Sequence, residues 1–350
     1  MSSGQSLRLE YRVPAEFRSE GCHGVLGAAA FAGSVRLRGG PLHDGKVDFP
    51  LAHVHTPTLG EAPEVLEVWR AGSSAQPGSH GRVRYAHCGD LLFGSLAVHE
   101  AELASASGTP PRTPLELATD LAYREMYATL AALDAPHLVR VWNYIPDINL
   151  ETHGLERYRQ FNTARHEGSR VCGRAVAGNV PAASALGAAA GSPLTMYFLA
   201  SRRTPAFIEN PRQVSAYRYP AEYGPRSPAF SRATVLGEGG EAMLFISGTA
   251  SIVGHRTLHA GDPAAQTRET LANIQALLDE AANRFGGGAP RLETLAYKVY
   301  VRDPRDLPVI RAQLRSALGP AAALLYLKAD ICRQDLAVEI EAVGGGGWRR

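Results

Sequence analysis

ADICRQDLAVEIEAV, residues 329 to 343, is the stretch from which the rest of the chain can be read. From Leu336 the side chains alternate: Leu336, Val338 and Ile340 take one face of a strand, and Ala337, Glu339 and Glu341 the other. Two carboxylates therefore share a face. On spacing alone the commoner reading is a solvated pair on a half-buried strand. The sharper one is an acid whose proton affinity is raised by burial and by its neighbour.

Working outward, three stretches precede this one in a telling order: MLFISGTASIVG from Met243, then DPAAQTRETLANIQALLDEAANRFG, then LETLAYKVYVRDPRDLPVIRAQLRSALG. Together they resemble the Rid/YjgF superfamily, whose members share a strand–Ser–Gly opening, a Gln…Asn-Ile helix, a valine-rich strand ending in Arg-Asp and a closing Val-Glu-Ile-Glu. The resemblance covers roughly the last hundred residues.

An earlier block runs through the same elements. DLLFGSLAV (90–98) answers to AMLFISGTASI. The helix expected over Leu115–Leu133 answers to one over Ala264–Ala282, where Leu271, Ile274, Leu277 and Leu278 recur at helical spacing. LVRVWNYIPDIN from Leu138 answers to LAYKVYVRDPRD from Leu295, and a polar helix follows each, near Gly154 and near Pro304. Offsets of roughly 150 residues predict a diverged tandem duplication. In the second copy Asp303 and Pro304 form a capping pair, and Leu307, Ile310, Leu314 and Leu318 a buried stripe. The Ala/Gly-rich segment from Val171 to Ser192 reads as a surface loop or short helix; the strand from Leu194 and the segment from Glu209 to Ala233 then close the first copy.

The expected class is α+β: two tandem Rid/YjgF-like (chorismate mutase-like) units with mixed sheets covered on one face by helices. Residues 1–235 form an N-terminal unit with extra N-terminal strands (VRLRG, KVDFPLAHVHT and EVLEVWRA), 236–343 the second unit, and 344–350 a flexible tail.

Composition narrows the function classes. With 350 residues, 45% hydrophobic and 20% charged, the chain has the makeup of a globular protein, and no stretch reaches the roughly 18 apolar residues of a membrane span. The opening MSSGQSLRLEYRVPAEFRSEG has no apolar h-region, so a cytoplasmic location is expected. A net charge of +2 without basic runs argues against nucleic acid as a partner. Cys22, Cys88, Cys172 and Cys332 are scattered, which fits reduced thiols and no zinc site; His53 and His55 lack an evident third ligand. Only Lys46, Lys298 and Lys328 are lysines, so each stands out among the arginines. No Rossmann, P-loop or Gly-x-Ser-x-Gly pattern is present, and no cofactor or metal is called for.

Two stretches are rich in ligand-holding chemistry. On the helix near Gly154, Tyr158, Phe161 and Arg165 fall on one face; farther on, Tyr217 and Tyr219 project opposite Arg218 from an extended run, and Arg232 follows. Guanidinium forks and phenols suit a small ligand bearing carboxylates and hydroxyls. Surface arginines and packed tyrosines are the plainer reading.

RVWNYIPDIN, GLERYRQFN, ENPRQVSAYRYP, FISGTASIVGH and ICRQDLAVEIEA, spread between Leu91 and Val343, together resemble the chorismatase family of secondary metabolism. The resemblance implies an enzyme that removes the enolpyruvyl group of chorismate as pyruvate. It matches Glu339 to the family's catalytic glutamate, a general acid toward the vinyl-ether methylene. It matches Cys332 to the type whose product is 3-hydroxybenzoate; a hydrolase giving 3,4-dihydroxycyclohexa-1,5-diene carboxylate is the near alternative. Tyr158, Arg165, Tyr217, Arg232, Gly248 and Lys328 are the expected substrate-binding residues, with Gly248 leaving room for the ring or serving a bulge. The C-terminal half alone would suggest a Rid-type imine deaminase or ligand-binding protein. Deaminases carry an arginine at the start of the penultimate strand; here AAALLYLKA offers only Lys328. Rid proteins are trimers, and a tandem chain could supply that contact internally, so monomer and trimer both stay open.

Overall fold

A computed structural model describes residues 7–14, 24–32, 47–103, 112–285 and 290–345. Near the N-terminus β1 (Arg8–Arg12), β2 (Val25–Ala32), β3 (Leu51–Val54) and β4 (Glu64–Arg70) form a sheet in the order β1-β4-β2-β3. The expected strand VRLRG, Cys22, Lys46 and the tail from residue 346 lie outside the described residues.

Two six-stranded mixed sheets follow. The first is built from β5 (Gln76–His80), β6 (Val83–Cys88), β7 (Leu91–Val98), α1 (Pro114–Ala132), β8 (His137–Pro146), the hairpin β9 (Glu151–Thr152) and β10 (Leu155–Glu156), α2 (Arg157–Val171), β11 (Ala182–Ala188) and β12 (Leu194–Ser201). The second comprises β13 (Ala206–Ile208), β14 (Ala233–Leu236), β15 (Met243–Ala250), the hairpin β16 (Ile252–Val253) and β17 (Arg256–Thr257), α3 (Pro263–Phe285), β18 (Ala296–Val301), α4 (Leu307–Leu318), β19 (Ala323–Lys328) and β20 (Val338–Gly345).

The orders β11-β8-β12-β7-β6-β5 and β19-β18-β20-β15-β14-β13 correspond strand for strand, with β8/β11 and β18/β19 as the parallel pairs. One topology is thus used twice, in an α+β architecture.

Three expectations are corrected. The second sheet starts at Ala206, ahead of the boundary expected at residue 235, because β13 is too short to show an alternation. The segment from Glu209 to Ala233 therefore opens the second unit instead of closing the first. Within the Ala/Gly-rich segment, Ala182–Ala188 is a parallel strand, not a surface loop or helix; small side chains let it lie between layers with most positions buried. Gly344 and Gly345 belong to β20, paired with Leu244 and Met243, so the strand runs past the expected start of the tail.

Helices take one face of each sheet. In α1 the side chain of Thr113 accepts from Glu116 N while the Glu116 carboxylate accepts from Thr113 N, a capping box stabilising the helix start by about 1 kcal/mol. Leu115, Ala122, Met126 and Leu130 then pack on the first sheet with Phe161 of α2. In α4 the stripe Ile310, Leu314 and Leu318 is buried against the second sheet; Leu307 is half-buried. Asp303 caps the short turn Pro304–Asp306 that leads into α4.

The opposite faces of both sheets meet the N-terminal sheet in a central core, where Phe31 and Trp69, Trp142 and Tyr197, and Phe245 and Tyr300 come together from the three sheets. No helix among the described residues is long and apolar enough to cross a membrane.

Candidate active site

Where β15 and β20 pair, Ile246 and Thr249 flank an irregularity in the register. Gly248 lies in it, and a Cβ there would overlap the carboxylate oxygen Oε1 of Glu339. The glycine therefore makes room for the acid, and the bulge turns that vacancy toward it. Gly248→Ala is expected to fold with a Tm lowered by the overpacking, about 1–3 kcal/mol, and to lose about tenfold or more in activity as the carboxyl is pushed aside. Thermal unfolding and turnover, measured side by side, check this.

Glu339 is 4% exposed. It borders a cavity of about 370 Å³ between the two units, together with Gly248, Cys332 and Arg333. Tyr158 and Arg159 contribute from the start of α2, and Tyr219, Tyr223, Phe230 and Arg232 from the crossing segment before β14. Burial, and next the negative charge of Glu341, raise the Glu339 carboxyl to about 8, against the opposing pull of Arg140, Arg302 and Arg232. The solvated-pair reading of this strand face is thus overturned: Glu341 is 2% exposed.

Cys332 Sγ stands 4.0 Å from Glu339 Oε2. Burial and the Glu339 charge push the thiol up to about 12, so it is a neutral S–H at physiological pH and not a thiolate nucleophile.

The strand-to-strand loop carrying Cys332 is clamped from both sides. Arg302 donates to Ile331 O at 3.0 Å, Arg333 O at 2.7 Å and Leu336 O at 2.8 Å, and its Nη1 to Asp330 Oδ1 at 2.8 Å. Gln266 on α3 donates to Asp335 O at 2.8 Å and accepts from Ala337 N at 2.7 Å. Asn273, one helical face farther along, donates to Ala250 O at 3.0 Å and Ile252 O at 2.9 Å, holding the chain as it leaves β15. The Gln…Asn-Ile pattern is therefore a scaffold for the cavity wall.

Cations face the cavity with capacity to spare. Arg232 Nη2 donates to Val214 O and to the Tyr219 hydroxyl, both at 2.8 Å, and Arg333 lies over the Tyr223 ring at 4.1 Å. Arg232 Nε and Arg333 Nη2 are buried without a hydrogen-bond partner among the described residues. Buried N–H donors left in this state suit an anionic ligand.

Of the expected residues, Glu339, Cys332, Tyr158, Arg232 and Gly248 converge on this cavity. Three do not. Arg165 is buried away from it, donating to Asn162 Oδ1 at 2.7 Å and lying over Phe161; seven residues bring it back to the face of Tyr158 but about 10 Å farther along α2. Tyr217 sits on the tight turn Ala216–Arg218, where the assumed alternation of an extended run does not hold, and Tyr219 takes the cavity place instead. Lys328 is exposed at the end of the edge strand β19. Among the described residues the buried lysine is Lys298. Arg333 and Tyr223 were missed although both lie in or near the quoted motifs; only the fold reveals that they stack. His53 is held neutral chiefly by burial, and among the described residues no three potential metal ligands converge.

The family model described as chorismatase FkbO/Hyg5-like, N-terminal, matches residues 67–200. The chain is 38% identical over 288 residues to a 3-hydroxybenzoate synthase of Streptomyces hygroscopicus, covering 79% of this chain and 80% of that one. It is 39% identical over 302 residues to a chorismatase of Streptomyces rapamycinicus, covering 84% and 86%. A crystal structure of a chorismatase superposes with a TM-score of 0.84 at 32% identity, over 98% of this chain and 99% of that one. With one fold throughout and more than a third of residues shared over about four fifths of each curated relative, the chain belongs to the chorismatase family.

Proposed function

We propose that the protein converts chorismate to 3-hydroxybenzoate and pyruvate. One observation carries the reading: a carboxyl that keeps its proton at neutral pH faces a cavity two of whose arginines have unpaired buried donors. Chorismate brings two carboxylates to meet those donors and an enol ether to take that proton.

In the proposed sequence Glu339 gives its proton to the vinyl-ether methylene, making an oxocarbenium ion. The ring C–O bond then breaks, its electron pair going to the ether oxygen, which becomes the keto oxygen of pyruvate. The neighbouring ring hydroxyl oxygen bonds to the vacated carbon and returns its proton to Glu339. Loss of the ring C–H proton opens that bridge, the oxygen takes up a proton, and the ring becomes aromatic. Atoms balance without added water or an electron carrier. Arg232 and Arg333 anchor the carboxylates, while Tyr158, Tyr219 and Phe230 exclude water.

Hydrolysis, with water as nucleophile from the same protonated ether, is the second reading. The neutral Cys332 thiol beside Glu339 favours the first, since it occupies wall space that a water would need. Incubation with chorismate followed by ultraviolet spectra separates the outcomes, because only 3-hydroxybenzoate is aromatic; no pyruvate at all would sink both. Cys332→Ala, which opens that space, is expected to bring in the dihydroxycyclohexadiene product. Unchanged product and rate would remove the cysteine from the choice.

A further inference from the structure

Glu341 is saturated with donors. Its Oε1 accepts from Trp142 Nε1 at 2.7 Å and pairs with Lys298 Nζ at 2.7 Å. Its Oε2 accepts from Arg140 Nη2 at 2.9 Å, Ser184 Oγ at 2.8 Å and the Tyr300 hydroxyl at 3.2 Å. Lys298 is shared in turn with Glu67 of the N-terminal sheet, Nζ to Oε2 at 2.6 Å. This cluster ties β4, β8, β11, β18 and β20 together, with two positive and two negative charges. A carboxylate with every lone pair engaged, two of its donors cationic, stays ionised.

That fixed anion lies two residues from Glu339 on the same strand face, and both are nearly excluded from water. Ser184 joins the two sites: while donating to Glu341 it accepts from Gly248 N at 3.0 Å, at the glycine whose missing side chain admits the Glu339 carboxyl.

Resting on the functional reading above, we infer that Glu341 is a positioning residue that acts through Glu339, its locked charge holding the proton on the acid and its Ser184 contact fixing the wall against which the acid lies. The other groups around Glu339 are Arg140 from β8, Arg302 just after β18, Tyr219, Tyr223 and Arg232 from the segment before β14, Glu156, Tyr158 and Arg159 from the start of α2, and Cys332 and Arg333 from the loop before β20. The three arginines Arg140, Arg302 and Arg232 pull toward ionisation, and Glu341 is the charge that opposes them.

The test compares pH profiles of kcat/KM for pyruvate release. Glu339 must be protonated to act, so wild-type activity should fall above a limb near pH 8. Glu341→Gln removes the opposing anion and leaves the cluster with one positive charge in excess, and both changes favour ionised Glu339. The limb should drop by about two pH units: activity near pH 7.5 falls more than about tenfold, while near pH 5.5 it stays within about threefold of wild type. A uniform loss at every pH, with the limb in place, overturns the inference. Should Glu341→Gln fail to fold, Glu341→Gln/Lys298→Met keeps the cluster balanced and is expected to move the limb in the same direction by a smaller amount. Should wild type release no pyruvate at any pH, the functional reading falls; the ¹³C titration of the Glu339 carboxyl in the free protein then decides separately, an unmoved midpoint in Glu341→Gln ruling the role out.

Discussion

Glu339→Gln is expected to abolish pyruvate release from chorismate, a loss of about 10² to 10⁴-fold in kcat, and to leave chorismate binding in place. The amide keeps the shape of the carboxyl and lacks its transferable proton, so the anion-holding arginines are undisturbed. A coupled pyruvate assay reads the first effect and calorimetry the second. Turnover within about tenfold of wild type would remove Glu339 from the proposed chemistry.

The same variant has an opposite effect on stability. The folded-state carboxyl sits well above its unfolded value, at about 8. Its contribution to stability is therefore complete below the unfolded value and is lost as pH rises through the folded one. Gln escapes that loss. At pH 8.5 Glu339→Gln should melt above wild type, by up to a few kcal/mol of unfolding free energy, and the advantage should shrink toward pH 4.5. An acid stored at such a disadvantage is what a functional site would be expected to carry.

Lys298→Met is expected to be the most damaging single change to the fold. Lys298 is 2% exposed and bridges Glu67 and Glu341. Removing it leaves two buried carboxylates short of their shared cation, at a cost of about 3–5 kcal/mol. With Lys298 gone the buried negative charge lacks its cation, a lack that a proton can make good, so the penalty is smaller at low pH and grows as pH rises. Denaturant unfolding at pH 5 and pH 8 measures the difference; an equal loss at both would mean that packing around the lysine stem, and not charge, is what matters.

How much of this could be read in the sequence depends on distance along the chain. α1 and α3 were legible from their apolar spacing, and the duplication from repeated motif order, because both are local patterns set by the helix and strand periods. The strand face carrying Glu339 and Glu341 was equally plain. Whether that face met water was not, since alternation is the same on a solvated sheet and on one covered by a second layer. Arg165 and Tyr217 show the limit at single residues: each sits in a motif of the right chemistry, yet two turns of helical rise and one tight turn carry them off the cavity.

By itself the sequence determined an α+β chain with a repeated unit, a chorismatase-like motif set and an acid on the last strand. Only the tertiary structure decided that the acid is buried and protonated, that β11 is a strand, and that Arg140, Ser184 and Lys298 surround Glu341 from other strands. The reason is physical. Secondary structure follows from neighbours a few residues apart, whereas the proton affinity of a carboxyl follows from burial and from charges that strand pairing brings across more than a hundred residues of chain.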